Sequence, residues 1–164
     1  MILIGFMGCG KTTIAKELAA RLNKEVIDLD AIIPELANKS IPEIFSKEGE
    51  AAFREYEFQA LQQTLAKDVI IATGGGVITY DKSYDLLSNL KTMPIFFLNA
   101  PFEDLYVRIQ QDENRPLGNQ SIEKVRALYN SRLDKYSALA SREISTAQSV
   151  AISTEEILNY IQHQ

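Results

Sequence analysis

The sequence offers little that could crosslink a fold or ligate a soft metal. Cys9 is the sole cysteine among 164 residues, which excludes an intrachain disulfide and a thiolate metal cluster. His163 is the sole histidine, next to the last residue, and reads as a solvated side chain rather than a catalytic base. No apolar run approaches the ~18 residues a bilayer span requires, and the opening MILIGFM has no basic lead-in. Basic residues are outnumbered, 17 Lys and Arg against 22 Asp and Glu, for a net charge of -5. That balance argues against an extended grip on a nucleic-acid backbone and makes any anion site local. The expectation is a cytoplasmic protein that binds neither nucleic acid nor membrane. With 46% hydrophobic and 24% charged residues, the chain suits a single domain with a substantial core.

Apolar runs of strand length recur, each followed by a segment of helical period. They are MILIGF (1–6), EVIDLD (25–30), DVIIATGG (68–75), MPIFFLN (93–99) and SVAIST (149–154). Most lack polar alternation, as strands covered on both faces should, and the alternation of strand and helix predicts a parallel α/β sheet. Ile14, Leu18 and Leu22 form the buried stripe of a first helix. SIPE, from Ser40, is a capping-box pattern with Pro42 in the first turn of a short helix that Gly49 interrupts. A longer helix is predicted over about 51–66, another from Pro101, and another over 121–139. Between the last two, DENRPLGNQ (112–120) is polar and carries Pro and Gly, the composition of a mobile loop.

Between the first strand and the first helix, Gly5, Gly10, Lys11 and Thr12 satisfy G-x-x-x-x-G-K-T. Such glycines let several backbone N–H groups and the helix N-terminus converge on a phosphate chain. Lys11 then reaches the β/γ-phosphates and the Thr12 hydroxyl can ligate Mg²⁺. Gly8, Cys9, Gly10, Lys11, Thr12 and Thr13 are therefore the expected ATP contacts, with Cys9 as filler at an open position rather than a nucleophile. Asp28 and Asp30, two apart at the end of the second strand, are expected on one face near that loop, one close to Mg²⁺ and one close to an acceptor hydroxyl. Three consecutive glycines in TGGG (73–76) suit a place where a ligand approaches the main chain. That strand end lacks the acidic residue often found there in nucleotide hydrolases, which favours a small transferase.

Taken in order, GFMGCGKTT, DLD, GEAAFRE (49–55), TGGG, NRPL (114–117) and SRLDKY (131–136) resemble the motifs of shikimate kinases over nearly the whole chain. The resemblance implies a P-loop fold like that of nucleoside monophosphate kinases: a five-stranded parallel sheet in the order 2-3-1-4-5 flanked by helices. It also implies a substrate-binding segment at about 31–60 and a lid at about 112–120. The implied reaction converts ATP and shikimate into ADP and shikimate 3-phosphate, on the path to chorismate and the aromatic amino acids. By position in the motifs, Asp28 would sit near Mg²⁺, and Asp30 would face the attacking 3-hydroxyl. Arg54 and Arg132 would clamp the substrate carboxylate, Gly75 and Gly76 would add backbone contacts, and Arg115 in the lid would reach the transferring phosphoryl group. The catalytic set is then Lys11, Asp30 and Arg115, in a monomer. A cyclohexene carboxylate with three hydroxyls needs a planar cationic fork at one end and an acceptor at the other, which these residue types supply.

The chain departs from the family pattern twice. Asp134 and Lys135 stand where Pro is common after the R-x of SRLDKY, and AISTEEI has no clear Asp and Pro to frame an adenine. The base contacts are thus unassigned, with Arg108 either flanking the base or lying exposed. Two other readings compete: another small-metabolite kinase of this fold, such as a gluconate or nucleoside kinase, and a silent nucleotide-binding regulator. The first is opposed by FRE together with the triple glycine, the second by the presence of Asp30 and Arg115.

Overall fold

A computed structural model of the chain describes residues 1–111 and 120–163. Its strands are β1 (Ile2–Ile4), β2 (Val26–Asp28), β3 (Ile70–Ala72), β4 (Ile95–Asn99) and β5 (Arg142–Ser145). All pair in parallel, in the order β2-β3-β1-β4-β5. This is the order the motif resemblance implies. Every residue of β1 and β3 is buried, because helices cover both faces of a parallel sheet and leave no wet side for polar alternation.

The helices are α1 (Lys11–Leu22), α2 (Leu29–Ala37), α3 (Ile41–Lys47), α4 (Gly49–Leu65), α5 (Asp81–Ser88), α6 (Phe102–Gln110), α7 (Ile122–Leu139) and α8 (Val150–Gln162). Helices α2, α3 and α4 pack on one another beside β2, whereas α1 packs on α8 and β3. The capping box at Ser40 forms in both directions: the Ser40 N–H donates to Glu43 Oε2 at 3.0 Å, and the Glu43 N–H donates to Ser40 Oγ at 3.4 Å. Helix α3 stops at Lys47 and α4 begins at Gly49, as the interruption at that glycine predicts.

Two strand expectations are corrected. The segment 149–154 is not a strand. Ser149 caps α8, accepting from the Ile152 N–H, and the buried positions Ser153, Thr154, Ile157 and Leu158 follow a helical period. The fifth strand is instead REIS, in which only Ile144 is buried; at the sheet edge it needs little apolar surface, so its sequence carries no strand signal. The second correction concerns EVIDLD. The strand ends at Asp28, and α2 starts at Leu29, so Asp28 and Asp30 do not share a strand face. Asp28 is the helix cap, its Oδ1 accepting from the Asp30 N–H at 3.1 Å. A short polar side chain that bonds the backbone two residues on turns the chain into a helix at that point. Helices α2 and α5 also lay outside the sequence reading. In α2, Pro34 lies inside the helix and masks its period.

The turn out of β1 is tight. Gly5 has φ of 147°, and a Cβ there would lie 2.4 Å from the Leu98 carbonyl oxygen and 2.8 Å from Cys9 Sγ. Neither a strand carbonyl nor a buried thiol can retreat. Gly5→Ala is therefore expected to destabilise the protein by about 2–4 kcal/mol, from backbone strain plus overpacking. Urea unfolding monitored by circular dichroism reads this directly; a midpoint equal to the parent's would contradict it.

Candidate active site

At the carboxyl end of β1 the chain passes through Gly5 to Gly10 and enters α1. Gly10, with φ of 91°, is the N-cap of α1, a conformation that glycine adopts without steric cost. The helix N-terminus and the loop N–H groups bound a cavity of about 380 Å³. Lys11 sits at its mouth, with Nζ donating to the Gly5 carbonyl at 2.8 Å and the Phe6 carbonyl at 3.1 Å. Cys9 is fully buried beneath the loop, its Sγ 3.5 Å from that ammonium, consistent with a packing role. The Thr12 hydroxyl donates to Asp28 Oδ2 at 3.4 Å, which brings together one hydroxyl and one carboxylate beside the phosphate loop. Thr13, Arg108, Thr146, Gln148, Val150 and Ser153 complete the cavity wall. Arg108 is half-buried rather than free in solvent. Its guanidinium donates to the Gly8 carbonyl at 3.2 Å and the Thr146 carbonyl at 2.9 Å, tying α6 to the loop and to the segment after β5.

One strand away, TGGG leaves the carboxyl end of β3. Thr73 fastens its start, donating from both N–H and Oγ1 to the Leu3 carbonyl. Against the glycines lies a charge cluster from α4 and α7. Arg54 Nη1 donates to Glu57 Oε2 at 2.7 Å and Nη2 to Glu50 Oε1 at 3.3 Å. Glu57 is fully buried, and desolvation pushes its carboxyl pKa up, with Arg54 opposing. The glycines are required by these side chains. A Cβ on Gly76 would fall 2.1 Å from Arg54 Nη2, and one on Gly74 would fall 2.6 Å from Glu57 Oε1 and 3.4 Å from Asp30 Oδ1.

Arg132 reaches the same place from α7. Val125, Tyr129, Arg132, Tyr136 and Leu139 form the buried stripe of that helix, so an arginine occupies what would otherwise be a core position. Its guanidinium lies 5.8 Å from the centre of the Phe6 ring. Asp134 is exposed, and Lys135 lies 5.5 Å from the Tyr84 ring, so the departure from the family pattern at those positions does not turn Arg132 away. Among the described residues, Arg54 Nε, Arg132 Nε and Glu57 Oε1 are buried without a hydrogen-bond partner. Burying polar atoms without partners carries a desolvation cost.

The structure thus gathers Asp30, Arg54, Gly75, Gly76 and Arg132 at the carboxyl end of β3 and Gly8, Cys9, Gly10, Lys11, Thr12, Thr13 and Asp28 around the loop at the carboxyl end of β1. Arg115 and most of the 112–120 segment lie outside the described residues. Sequence reasoning missed Glu57 and Tyr136, whose hydroxyl donates to the Gly75 carbonyl. For Glu57 a signal existed, since FREYE places it three residues after Arg54, within ion-pair reach on a helix. No local pattern announces the Tyr136 contact, which joins residues 61 apart. Among the described residues no group of three or more His, Cys, Asp or Glu is placed to hold a metal, and no helix is long and apolar enough to cross a membrane.

Shikimate kinase from Staphylococcus aureus is 41% identical over 163 residues, covering 98% of this chain and 92% of the relative. The crystal structure of shikimate kinase from Acinetobacter baumannii in complex with shikimate superposes with a TM-score of 0.89 at 34% identity, covering 99% of this chain and 92% of that one. The Aquifex aeolicus shikimate kinase gives 0.85 at 31%, covering 98% and 95%. A deoxyadenosine kinase from M. mycoides, 16% identical with a TM-score of 0.67 over 99% of each chain, shares the fold. The family model described as shikimate kinase matches residues 7–163, and the chain belongs to the shikimate kinase family.

Proposed function

We infer that this protein transfers the γ-phosphoryl group of ATP to the 3-hydroxyl of shikimate, with the two glycine-rich loops dividing the work. The observation that carries the assignment of the acceptor side is the pair of buried arginines whose Nε–H groups lack partners beside a triple glycine. Two guanidinium forks in a partly dry site suit a carboxylate, which accepts bidentate hydrogen bonds. A nucleoside acceptor brings no such group. Glu57 and Glu50 accept from the two Nη atoms of Arg54 and hold its fork against the glycines, beside the place assigned to the substrate acid. Gly75 and Gly76 allow the acceptor ring to approach the main chain.

On the donor side, Gly8 to Thr13 cradle the phosphates through backbone N–H groups, and Lys11 exchanges its loop carbonyls for the β/γ-phosphates. Thr12 and Asp28 are hard oxygen donors of the kind that hold Mg²⁺ together with substrate phosphates and water, so the residues present fit that ion. Held by Thr12 and Asp28, Mg²⁺ would supply neutralisation of the charge that develops on the phosphate oxygens. Asp30, at the first turn of α2 and facing Gly74, orients the 3-hydroxyl and accepts its proton as the oxygen attacks. Arg115, at its place in NRPL, is assigned to the transferring phosphoryl group. The 31–60 segment, which folds as α2, α3 and most of α4, forms the acceptor side, with 112–120 as the lid of a single kinase domain. The net charge of -5 argues against an extended nucleic-acid or anionic-membrane surface, and we assign the protein as a cytoplasmic monomer acting on a small molecule.

Three variants test this division. Arg132→Ala should raise the KM for shikimate by the equivalent of ~2–5 kcal/mol, since it strands a buried anion, while the KM for ATP barely moves. A shikimate carboxamide should bind parent and variant almost equally; discrimination as strong as that seen with the acid would remove the clamp. Gly76→Ala should reproduce the shikimate defect with Arg54 still present in the sequence, because the new methyl group would displace its guanidinium. That displacement also breaks the pair with buried Glu57, so the thermal midpoint should fall as the shikimate KM rises, while the KM for ATP stays near the parent's. Asp30→Asn should keep ATP affinity and lower kcat by about 10²–10⁴-fold, the span typical of general-base catalysis; a loss below about threefold places the carboxylate outside the proton transfer.

A further inference from the structure

One buried group on the acceptor side has no part in the chemistry above. Tyr136 is fully buried and stacked on Phe97, with ring centroids 5.0 Å apart and planes 21° from parallel. Its hydroxyl donates to the carbonyl of Gly75, the middle glycine of the three. Burial pushes the phenol pKa well up, with the charge of Arg132 opposing, so the hydroxyl stays a donor across the working pH range. Arg132 precedes it by four residues, on the same face of α7.

Gly75 has no side chain to anchor it. A Cβ there would lie 3.4 Å from the Met7 nitrogen, 3.5 Å from the Gly5 carbonyl oxygen and 3.6 Å from Met7 Cγ. The phosphate loop therefore bounds the Gly75 peptide on one side, and the Tyr136 hydroxyl holds its carbonyl. Three glycines in a row have more backbone freedom than any other tripeptide, and a binding surface made of their main chain is only as precise as what pins it.

We propose that Tyr136 is a positioning residue for the acceptor: its hydroxyl pins the Gly75–Gly76 main chain and, from one helical turn away, sets the pose of Arg132 against the Phe6 ring. The proposal rests on the carboxylate-clamp reading of Arg54 and Arg132. Through Tyr136, the triple glycine, α7 and the phosphate loop form one preorganised wall rather than three separately mobile pieces.

The test is Tyr136→Phe, which keeps the ring and its stack on Phe97 and removes only the O–H. Steady-state constants for shikimate and ATP are measured separately, with thermal unfolding, in the parent and in an Arg132→Ala background. The expected result is a 5- to 20-fold rise in shikimate KM, the size of one lost hydrogen bond and some lost order, at about twofold or less in ATP KM and kcat. The double variant should fall short of the product of the single losses, because Tyr136 acts partly through Arg132. A variant that fails to fold, an unchanged shikimate KM, parallel shifts in both KM values, or full additivity overturns the role of Tyr136. If Arg132→Ala alone leaves shikimate KM unchanged, the clamp reading fails first. If Arg132→Ala behaves as expected and Tyr136→Phe does not, only the positioning proposal falls.

Discussion

The arrangement depends on the parallel pairing of β1 with β3, Ile2 opposite Ile71 and Leu3 opposite Ala72. Parallel strands end at the same edge of a sheet, and neighbouring strands lie only about 4.8 Å apart. Both glycine-rich loops therefore emerge side by side, one able to surround phosphate and the other able to admit an acceptor. Thr73 reinforces this spacing by bonding the Leu3 carbonyl twice. A phosphoryl donor and acceptor held this close need little further motion to align, and positioning is most of what phosphoryl transfer asks of a protein.

The second constraint is electrostatic. Arg54, Glu57 and Arg132 are held in an environment that penalises charge, and the ion pair between the first two offsets only part of the desolvation cost. Such an arrangement is weak as a stabilising device and strong as a recognition device. Removing one partner of a buried pair typically costs about 3–5 kcal/mol, whereas an incoming anion that completes the pairing recovers much of what burial cost. The same reasoning explains the three glycines. They serve less as a flexible turn than as space, because the carboxylate of Glu57 and the guanidinium of Arg54 occupy the volumes that side chains at Gly74 and Gly76 would need.

Arg108 and the capped aspartate show how secondary elements are tied to this site from outside it. Arg108 spans two carbonyls, on the phosphate loop and after β5, so α6 cannot shift without disturbing both. Asp28 bonds Thr12 through one oxygen and starts α2 through the other. That division sends Asp30 away from the phosphate loop, toward Gly74. The two carboxylates therefore serve different loops although they are adjacent but one in the chain.

The sequence by itself determined the features whose physics is local. The glycine, lysine and threonine spacing of the phosphate loop, the capping box at Ser40, the break at Gly49, and the apolar runs of β1, β3 and β4 are set by residues within a few positions of one another. Alternation of those runs with helices was enough for the fold class. Tertiary structure decided what depends on contacts between distant segments. REIS became the fifth strand because an edge position asks for one buried residue, while the more apolar 149–154 became a capped helix. Asp28 and Asp30 parted because a side-chain cap outcompeted one more residue of strand. Glu57 and Tyr136 acquired their places because packing set α4 and α7 against the glycines. Side-chain spacing along a chain reports the period of an element, whereas which buried polar group meets which backbone carbonyl is fixed only when the elements close on one another.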